Sequence, residues 1–302
     1  MQMGRLFSVV LVLVVAPVCG AEFVVASFNL ENFVGPNPHR RQVKSPAAKA
    51  KIVEALVKIR PDVLAVQEVG QKPRAEELRA LLKKAGLELP NLVFVKGPDP
   101  VINLAVFSRF ELRATPHHEV FYLLGGRRHM VARGFVEVEV KVSPGYVFTL
   151  FNAHLKSKRP VSYASEAAIR LAEARALRAL VAARLAAAPN RNLLVVGDLN
   201  DTQDQPPVKE LMGRGKARLV DLRPAERNGD QAPSANRYPP RRVTWTTYYG
   251  KEDSFSRFDY MLASPGMARE LLPSGTYVHT MPDWGLASDH RPIVATFTSR
   301  NQ

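Results

Sequence analysis

The chain of 302 residues sets short, nearly continuous apolar runs between polar stretches rich in turn residues. Phe23 to Phe28 and Val63 to Gln67 are two such runs. A strand apolar at almost every position is buried on both faces. Leu92 to Lys96, Leu104 to Ser108, Val147 to Asn152, Leu193 to Val196, Phe258 to Ala263 and Ile293 to Thr298 also read as strands. Between Val131 and Val142 the pattern changes: Phe135, Val136, Val138, Val140 and Val142 alternate around Glu137, Glu139 and Lys141, at strand period. Phe121 to Leu124 reads as a strand and its turn. Helical spacing predicts helices over Ala47 to Ile59, with Ile52, Leu56 and Ile59 on one face, over Pro73 to Ala85, and over Ser165 to Ala187. From Gln203 to Tyr249 the sequence turns polar and irregular. Helices join some strands and hairpins join others. That mixture predicts an α/β fold with two packed mixed β-sheets flanked by helices. No linker or short repeat interrupts it, so residues 22–302 read as one domain.

The N-terminus does not belong to that pattern. Arg5 is a short basic start, Leu6 to Val15 is almost wholly apolar, and Cys19-Gly20-Ala21 supplies small residues after Pro17. Residues 1–21 read as a secretory signal peptide, and the apolar run is too short to span a bilayer securely. A secreted or periplasmic protein is expected, with no stable membrane insertion after cleavage. Cleavage removes the one cysteine, so thiol and thiolate-metal chemistry are excluded from the mature chain. It also removes Arg5, which takes the formal charge from +14 to +13. An exported basic protein favours polyanionic or phosphorylated partners. A monomer is expected, and no protein partner is indicated.

Candidate chemistry sits at the ends of the apolar runs. Asp198 and Asn200 follow Leu193 to Val196 and lie two apart, so at strand spacing both face one side. Asp198 can take a proton from water or orient it; Asn200 can donate to a phosphoryl oxygen or ligate a metal. Gly197 and Asp201 make a plain turn the simpler reading of the same stretch. Glu68 follows Val63 to Gln67 and suits a Mg²⁺ ion, which needs only one or two carboxylates, or else the start of the next helix. Asn29 stands in the same relation to the first strand, where its amide can orient Glu68 or reach the metal; Glu31 reads as a loop or substrate-side carboxylate. His154 follows a strand and precedes Lys156, Lys158 and Arg159, which would supply positive field for a phosphate backbone. His290 is a base for neutral pH when a carboxylate holds its other nitrogen. The adjacent Asp289 diverges from it, so Asp259 is the better partner. The other five histidines read as surface or loop residues.

Phe28-Asn29, Gln67-Glu68, Asn152-Ala153-His154, Gly197-Asp198-Leu199-Asn200, Phe258-Asp259-Tyr260 and Ser288-Asp289-His290 together resemble the endonuclease/exonuclease/phosphatase superfamily, the DNase I-like fold. They occur in that family's order from about Phe23 to Phe297, and Ser108-Arg109 resembles its internal strand signature. The resemblance implies a four-layer α/β sandwich and divalent-metal-dependent phosphoester hydrolysis with one or two ions, Mg²⁺ or alternatively Mn²⁺ or Ca²⁺. It implies Glu68 as principal metal ligand, with Asn29 beside it and Asp289 as a further ligand. It implies Asp198 orienting or deprotonating water, Asn200 on phosphate, Asp259 paired with His290, and His154 on the phosphoryl oxygens or the leaving group. Export and charge favour a nuclease acting on DNA or RNA, with Arg127, Arg128, Arg241 and Arg242 as further backbone contacts; Trp245, Tyr248 and Tyr249 stack on a base or pack the late loop, and packing is the favoured reading. The alternatives are a lipid phosphodiesterase and a phosphomonoesterase. A non-catalytic module would lack one or more of the pocket groups, and none is missing.

Overall fold

β1 (Glu22–Phe33), α1 (Pro46–Ile59) and β2 (Val63–Val69) open the fold as a crossover unit, because β1 and β2 pair in parallel and need a helix to connect them. The computed structural model describes residues 20–36, 39, 41–227 and 244–300. Residues 1–19, Arg241 and Arg242 lie outside them. The Ser45 hydroxyl accepts the Ala48 N–H at 3.1 Å and Pro46 holds the first turn, so α1 starts on a side-chain cap. α2 (Lys72–Lys84), β3 (Asn91–Val95), β4 (Asn103–Ser108) and β5 (Glu111–His117) follow, then a hairpin of β6 (Phe121–Leu124) and β7 (Arg127–Met130), then β8 (Phe135–Ser143). A second crossover comes next: β9 (Tyr146–His154), α3 (Glu166–Ala187) and the parallel β10 (Leu193–Asp198). The chain closes through α4 (Pro206–Met212), β11 (Val220–Asp221), the hairpin of β12 (Thr247–Tyr249) and β13 (Ser254–Ser256), β14 (Asp259–Ala263), α5 (Pro265–Arg269), β15 (Leu271–Val278), α6 (Trp284–Ala287) and β16 (Ile293–Thr298).

Two six-stranded sheets result, ordered β15-β16-β1-β2-β4-β3 and β11-β14-β10-β9-β8-β5. They meet across an apolar core that includes Phe23, Val63, Val106 and Ile293 from the first sheet and Val138, Leu150, Val196 and Met261 from the second. A second core lies under α1 and α2, and a third under α3 and α4. Two sheets between two helical layers make the four-layer α/β sandwich. Among the described residues no helix is long and apolar enough to cross a membrane.

Several boundaries differ from the sequence pattern for local reasons. The strand expected from Val131 begins at Phe135, because Gly134 turns the chain at φ +63° and a Cβ there would lie 2.4 Å from the His117 carbonyl oxygen. β5 and β15 carry no apolar run, since both are edge strands with few buried residues. α4 lies inside the stretch read as irregular, where Pro206 and Pro207 begin a helix of only seven residues.

Candidate active site

Strand direction gathers the chemistry. β1 is parallel to β2 and β9 is parallel to β10, so Asn29, Glu68, His154 and Asp198 lie toward strand ends that point the same way in each sheet. β14 runs antiparallel to β10 and starts opposite its end, with Asp259 in register with Asp198. β16 runs antiparallel to β1, which brings the segment just before it, Ser288 to Arg291, to the same rim. A buried polar bridge locks the two sheets there. Gln67 Nε2 donates to Asn152 Oδ1 at 2.7 Å and to Ser27 Oγ at 3.1 Å. Asn152 Nδ2 donates to the carbonyl oxygens of Val66 and Ala105 at 2.9 and 3.0 Å.

Asp198 is the centre. Its Oδ2 accepts from Asn29 Nδ2 at 3.0 Å, and the Nε2 atoms of His154 and His290 stand 3.5 and 3.7 Å from the same oxygen. Its Oδ1 accepts the Asn200 N–H at 2.8 Å. Asn200 Nδ2 in turn donates to the Leu155 carbonyl at 3.1 Å. His290 Nδ1 lies 2.7 Å from Asp259 Oδ2, while the adjacent Asp289 reaches only to 3.9 Å of Nε2. Ser288 Oγ donates to the Asn29 carbonyl at 2.8 Å and accepts the His290 N–H at 3.0 Å, tying the last segment to β1. The backbone is left-handed at Glu31, Asn32, Glu68 and Asn200, with φ between 45 and 60°. Non-glycine residues adopt that region at a cost, and such residues cluster where function fixes the backbone. Here Glu31, Asn32 and Glu68 fall where the β1–β2 register shifts.

Burial sets the charges. The carboxyl of Asp198 is pushed up to about 7 by burial and by Asp259, against the opposing pull of His290. Burial disfavours a charge on His290, but Asp259 and Asp198 outweigh it and hold its pKa well above the ordinary histidine value. His154 goes the other way: burial, then Arg133 and His290, drive it well below that value, so its ring is neutral at pH 7. Its Nδ1 is buried with no partner among the described residues. A neutral imidazole and an imidazolium thus flank one carboxylate.

On the other side lie Glu68, Glu31 and the half-exposed Asp289. The Asp289 carboxyl is pushed up to about 6, first by burial and then, against His290, by the negative charges of Glu31 and Glu68. Glu68 Oε2 accepts the Asn32 N–H at 3.0 Å, and Glu31 pairs with Lys44 at 2.7 Å. Among the described residues no three acidic, histidine or cysteine side chains cage an ion by themselves. Excess negative charge and hard oxygen donors nevertheless fit a magnesium-type ion, which keeps several waters and takes one or two carboxylates plus phosphate. Asn29 Oδ1 accepts the Glu31 N–H at 3.0 Å and so faces this group while its amide nitrogen faces Asp198.

Three candidate backbone contacts part company. Lys158 and Arg159 are exposed, and the Lys158 ammonium stands 4.8 Å from the ring of Phe258, the residue before Asp259. Lys156 differs from expectation. It is buried, and its ammonium donates to the carbonyl oxygens of Ser157 (2.9 Å) and Arg159, so it staples the loop instead of facing a substrate. The groups that hold this loop had no signal in the sequence, because they lie within a long helix. Buried Glu173 of α3 accepts the N–H groups of Lys156 (2.6 Å) and Ala132 (3.3 Å); buried Arg170 donates to the Lys156 carbonyl (3.0 Å) and to Asp201 (2.9 Å). Thr246 escaped notice too: its hydroxyl accepts the N–H groups of Phe258 and Asp259, both at 3.1 Å. Trp245 packs, against Phe255, Trp284 and Arg291.

The model of the Endonuclease/Exonuclease/phosphatase family matches residues 26–290. No curated protein sequence matches the chain. Among solved structures, the catalytic domain of human nocturnin is similar at a TM-score of 0.64 and 18% identity, over 92% of this chain and 95% of that one. Beta toxin from Staphylococcus aureus gives 0.63 and 16%, over 90% and 99% of the two chains. An AP endonuclease from Archaeoglobus fulgidus gives 0.58 and 15%, over 91% and 99%. At such identities the likeness shows the fold.

Proposed function

The chain belongs to the Endonuclease/Exonuclease/phosphatase family, and from that premise we propose that it is an exported, divalent-metal-dependent phosphodiesterase that hydrolyses a nucleic-acid backbone by direct attack of water. The observation that carries the chemistry is the convergence of Asn29, His154 and His290 on one oxygen of Asp198, with Asp259 behind His290. Asp198 orients the water and takes its proton, a role suited to a carboxyl pushed up to about 7. His290, kept protonated by its two aspartates, sets positive charge beside the phosphoryl group. Neutral His154 and the Asn200 amide donate to its oxygens, and these fixed donors cost no reorganisation as charge builds. Glu68 and Asp289, with the side-chain oxygen of Asn29, would hold the ion, which supplies positive charge against the phosphate when bound. No side chain need attack phosphorus.

The nucleic-acid part of this reading rests on the mature formal charge of +13 (the full chain's +14 less Arg5), on the exposed Lys158 and Arg159 at the rim, and on the apolar segment over Leu6 to Val15. It is tested by one comparison. Purified protein is given DNA, RNA, sphingomyelin, a phosphomonoester and an inositol phosphate, each with Mg²⁺, Mn²⁺ or Ca²⁺ and after chelation. Nucleic acid should be cut fastest, and only with metal. Faster turnover of the lipid or of a monoester overturns the nuclease reading while leaving phosphoester hydrolysis intact. Full activity after exhaustive chelation overturns the metal role.

A further inference from the structure

The β6–β7 hairpin has two faces with different fates. Its turn, Gly125-Gly126, has φ of +58 and +73°, as a tight two-residue hairpin turn demands. A Cβ at either glycine would meet nothing within 4 Å, so the tip stands clear of the body. Strand alternation sends Tyr122 and Leu124 inward, onto the core beneath α3. It sends Phe121, Leu123 and Met130 outward, where they are 39, 76 and 41% exposed. Register places Phe121 opposite Met130 and Leu123 opposite Arg128, so one outer face carries three large apolar side chains and an arginine. Arg127 follows the turn. Between hairpin and helix runs an apolar groove of about 490 Å³ lined by Leu123, Leu124, Leu171 and Ala172, with Arg175 at its edge. Arg175 reaches Glu210 at 3.7 Å; among the described residues neither Arg127 nor Arg128 meets a carboxylate.

Scattered exposed apolar side chains are ordinary, but a contiguous set on a projecting hairpin marks a contact surface. We propose that this hairpin docks the protein reversibly on an anionic lipid bilayer, Phe121, Leu123 and Met130 entering the interface while Arg128, on the same face, meets the headgroups. Apolar side chains beside long cationic ones suit that boundary, since arginine lays its stem along apolar surface and keeps its charge at the polar layer. The mature formal charge of +13, the +14 of the full chain less Arg5, favours the same surface at long range. A nucleic-acid strand fits less well. A phosphate backbone offers nothing to Leu123 or Met130, whereas the Arg128 guanidinium, 3.4 Å from the Phe121 ring centroid, can keep that contact with its charge at the headgroup layer. A second copy fits less well too, because paired hairpins would bring like-charged arginines together. The docking does not depend on the substrate. The hairpin is joined to the loop after His154 by ring stacking of His129 on Tyr163, 4.9 Å between centroids, so docking would set the catalytic rim close to the lipid surface.

Flotation of the mature protein with phosphatidylcholine vesicles, with and without about 30 mol % phosphatidylglycerol, tests this. The protein should float with the anionic vesicles. Leu123→Ser combined with Met130→Ser should reduce that fraction about ten-fold or more and leave hydrolysis of a soluble phosphodiester unchanged, which shows that the fold is intact. Leu123→Trp should give an indole emission that moves to the blue on anionic vesicles. Flotation insensitive to the double substitution, or a Leu123→Trp emission that does not move, overturns the proposal. So does a change in the protein's own sedimentation with the double substitution, which would assign the face to a second copy, and so does weakened DNA binding in place of weakened flotation. A negative nuclease assay would leave the flotation result standing.

Discussion

At the residue scale the site depends on which proton sits where. Asp198→Asn keeps the shape but cannot take a proton, and turnover should fall by about 10²-fold or more, measured on any substrate that the wild type cuts. Asp259 and His290 act as one unit through their 2.7 Å contact. Asp259→Asn and His290→Ala should therefore each impair the same step, and the double substitution should cost little more than the worse of the two. Simple additivity in that cycle refutes the pair. Glu68 makes a separate prediction from its backbone, because φ of 59° is left-handed and glycine adopts it freely. Glu68→Gly should melt no lower than the wild type while losing activity, whereas Glu68→Gln should raise the metal concentration needed for half-maximal rate. A Glu68→Gly protein that unfolds well below the wild type contradicts a site where function, not stability, chose the residue.

At the scale of elements, two buried carboxylates do different jobs. Glu173 gives α3 its grip on the loop after His154 by accepting two backbone N–H groups. A glutamine there presents an N–H where one acceptor is needed, so Glu173→Gln should lower stability by about 1–3 kcal/mol and slow turnover, with the metal requirement unchanged. A shifted metal titration would show that the loop is not what it positions. Glu137 of β8 joins β5 to α3, accepting from Arg184 at 2.5 and 3.2 Å and meeting His117 at 2.7 Å. Burial raises its pKa, but His117 and Arg184 together bring it below the usual 4.5. A depressed carboxylate stabilises the fold above its unfolded pKa and loses that contribution as pH falls through its folded value. Wild-type stability should thus drop below about pH 4.5, and urea midpoints of Glu137→Gln should be lower at pH 7 yet flatter across that acid range. Parallel curves for the two proteins rule the contribution out.

The whole molecule adds charge and layering. With a mature formal charge of +13, the full chain's +14 less Arg5, affinity for a nucleic-acid backbone should fall steeply as salt rises, and log affinity against log salt should be linear. Lys158→Ala with Arg159→Ala should flatten that slope without changing the metal requirement, since both side chains are exposed and neither is a proposed ligand. A slope untouched by the pair places the backbone elsewhere. The two crossover units give the sandwich its working rim: each brings two parallel strand ends together, and the antiparallel returns of β14 and β16 deliver Asp259 and His290 from far along the chain. Gln67 and Asn152 then bridge the sheets, so the two halves of the site are held at fixed spacing by buried hydrogen bonds.

Periodicity alone determined most of the interior strands and the three long helices, because a buried strand or an amphipathic helix writes its environment into consecutive residues. Asn29, Glu68, His154, Asp198 and His290 were visible for the same reason: each is a polar group set against an apolar run, and six short motifs in one order named the family. The edge strands β5 and β15 were not visible, since a strand with one free edge and little burial imposes no pattern. Nor were Glu173, Arg170 and Thr246, whose partners outside their own elements lie 12 or more residues away and leave no local mark. Lys156 shows the limit most clearly. Its neighbours in sequence suggest a cation facing a phosphate, yet the turn of the loop points its ammonium at two carbonyl oxygens. The outer face of the β6–β7 hairpin belongs to the same class. Which side of a four-residue strand meets the core is decided by what α3 covers, and only packing settles that.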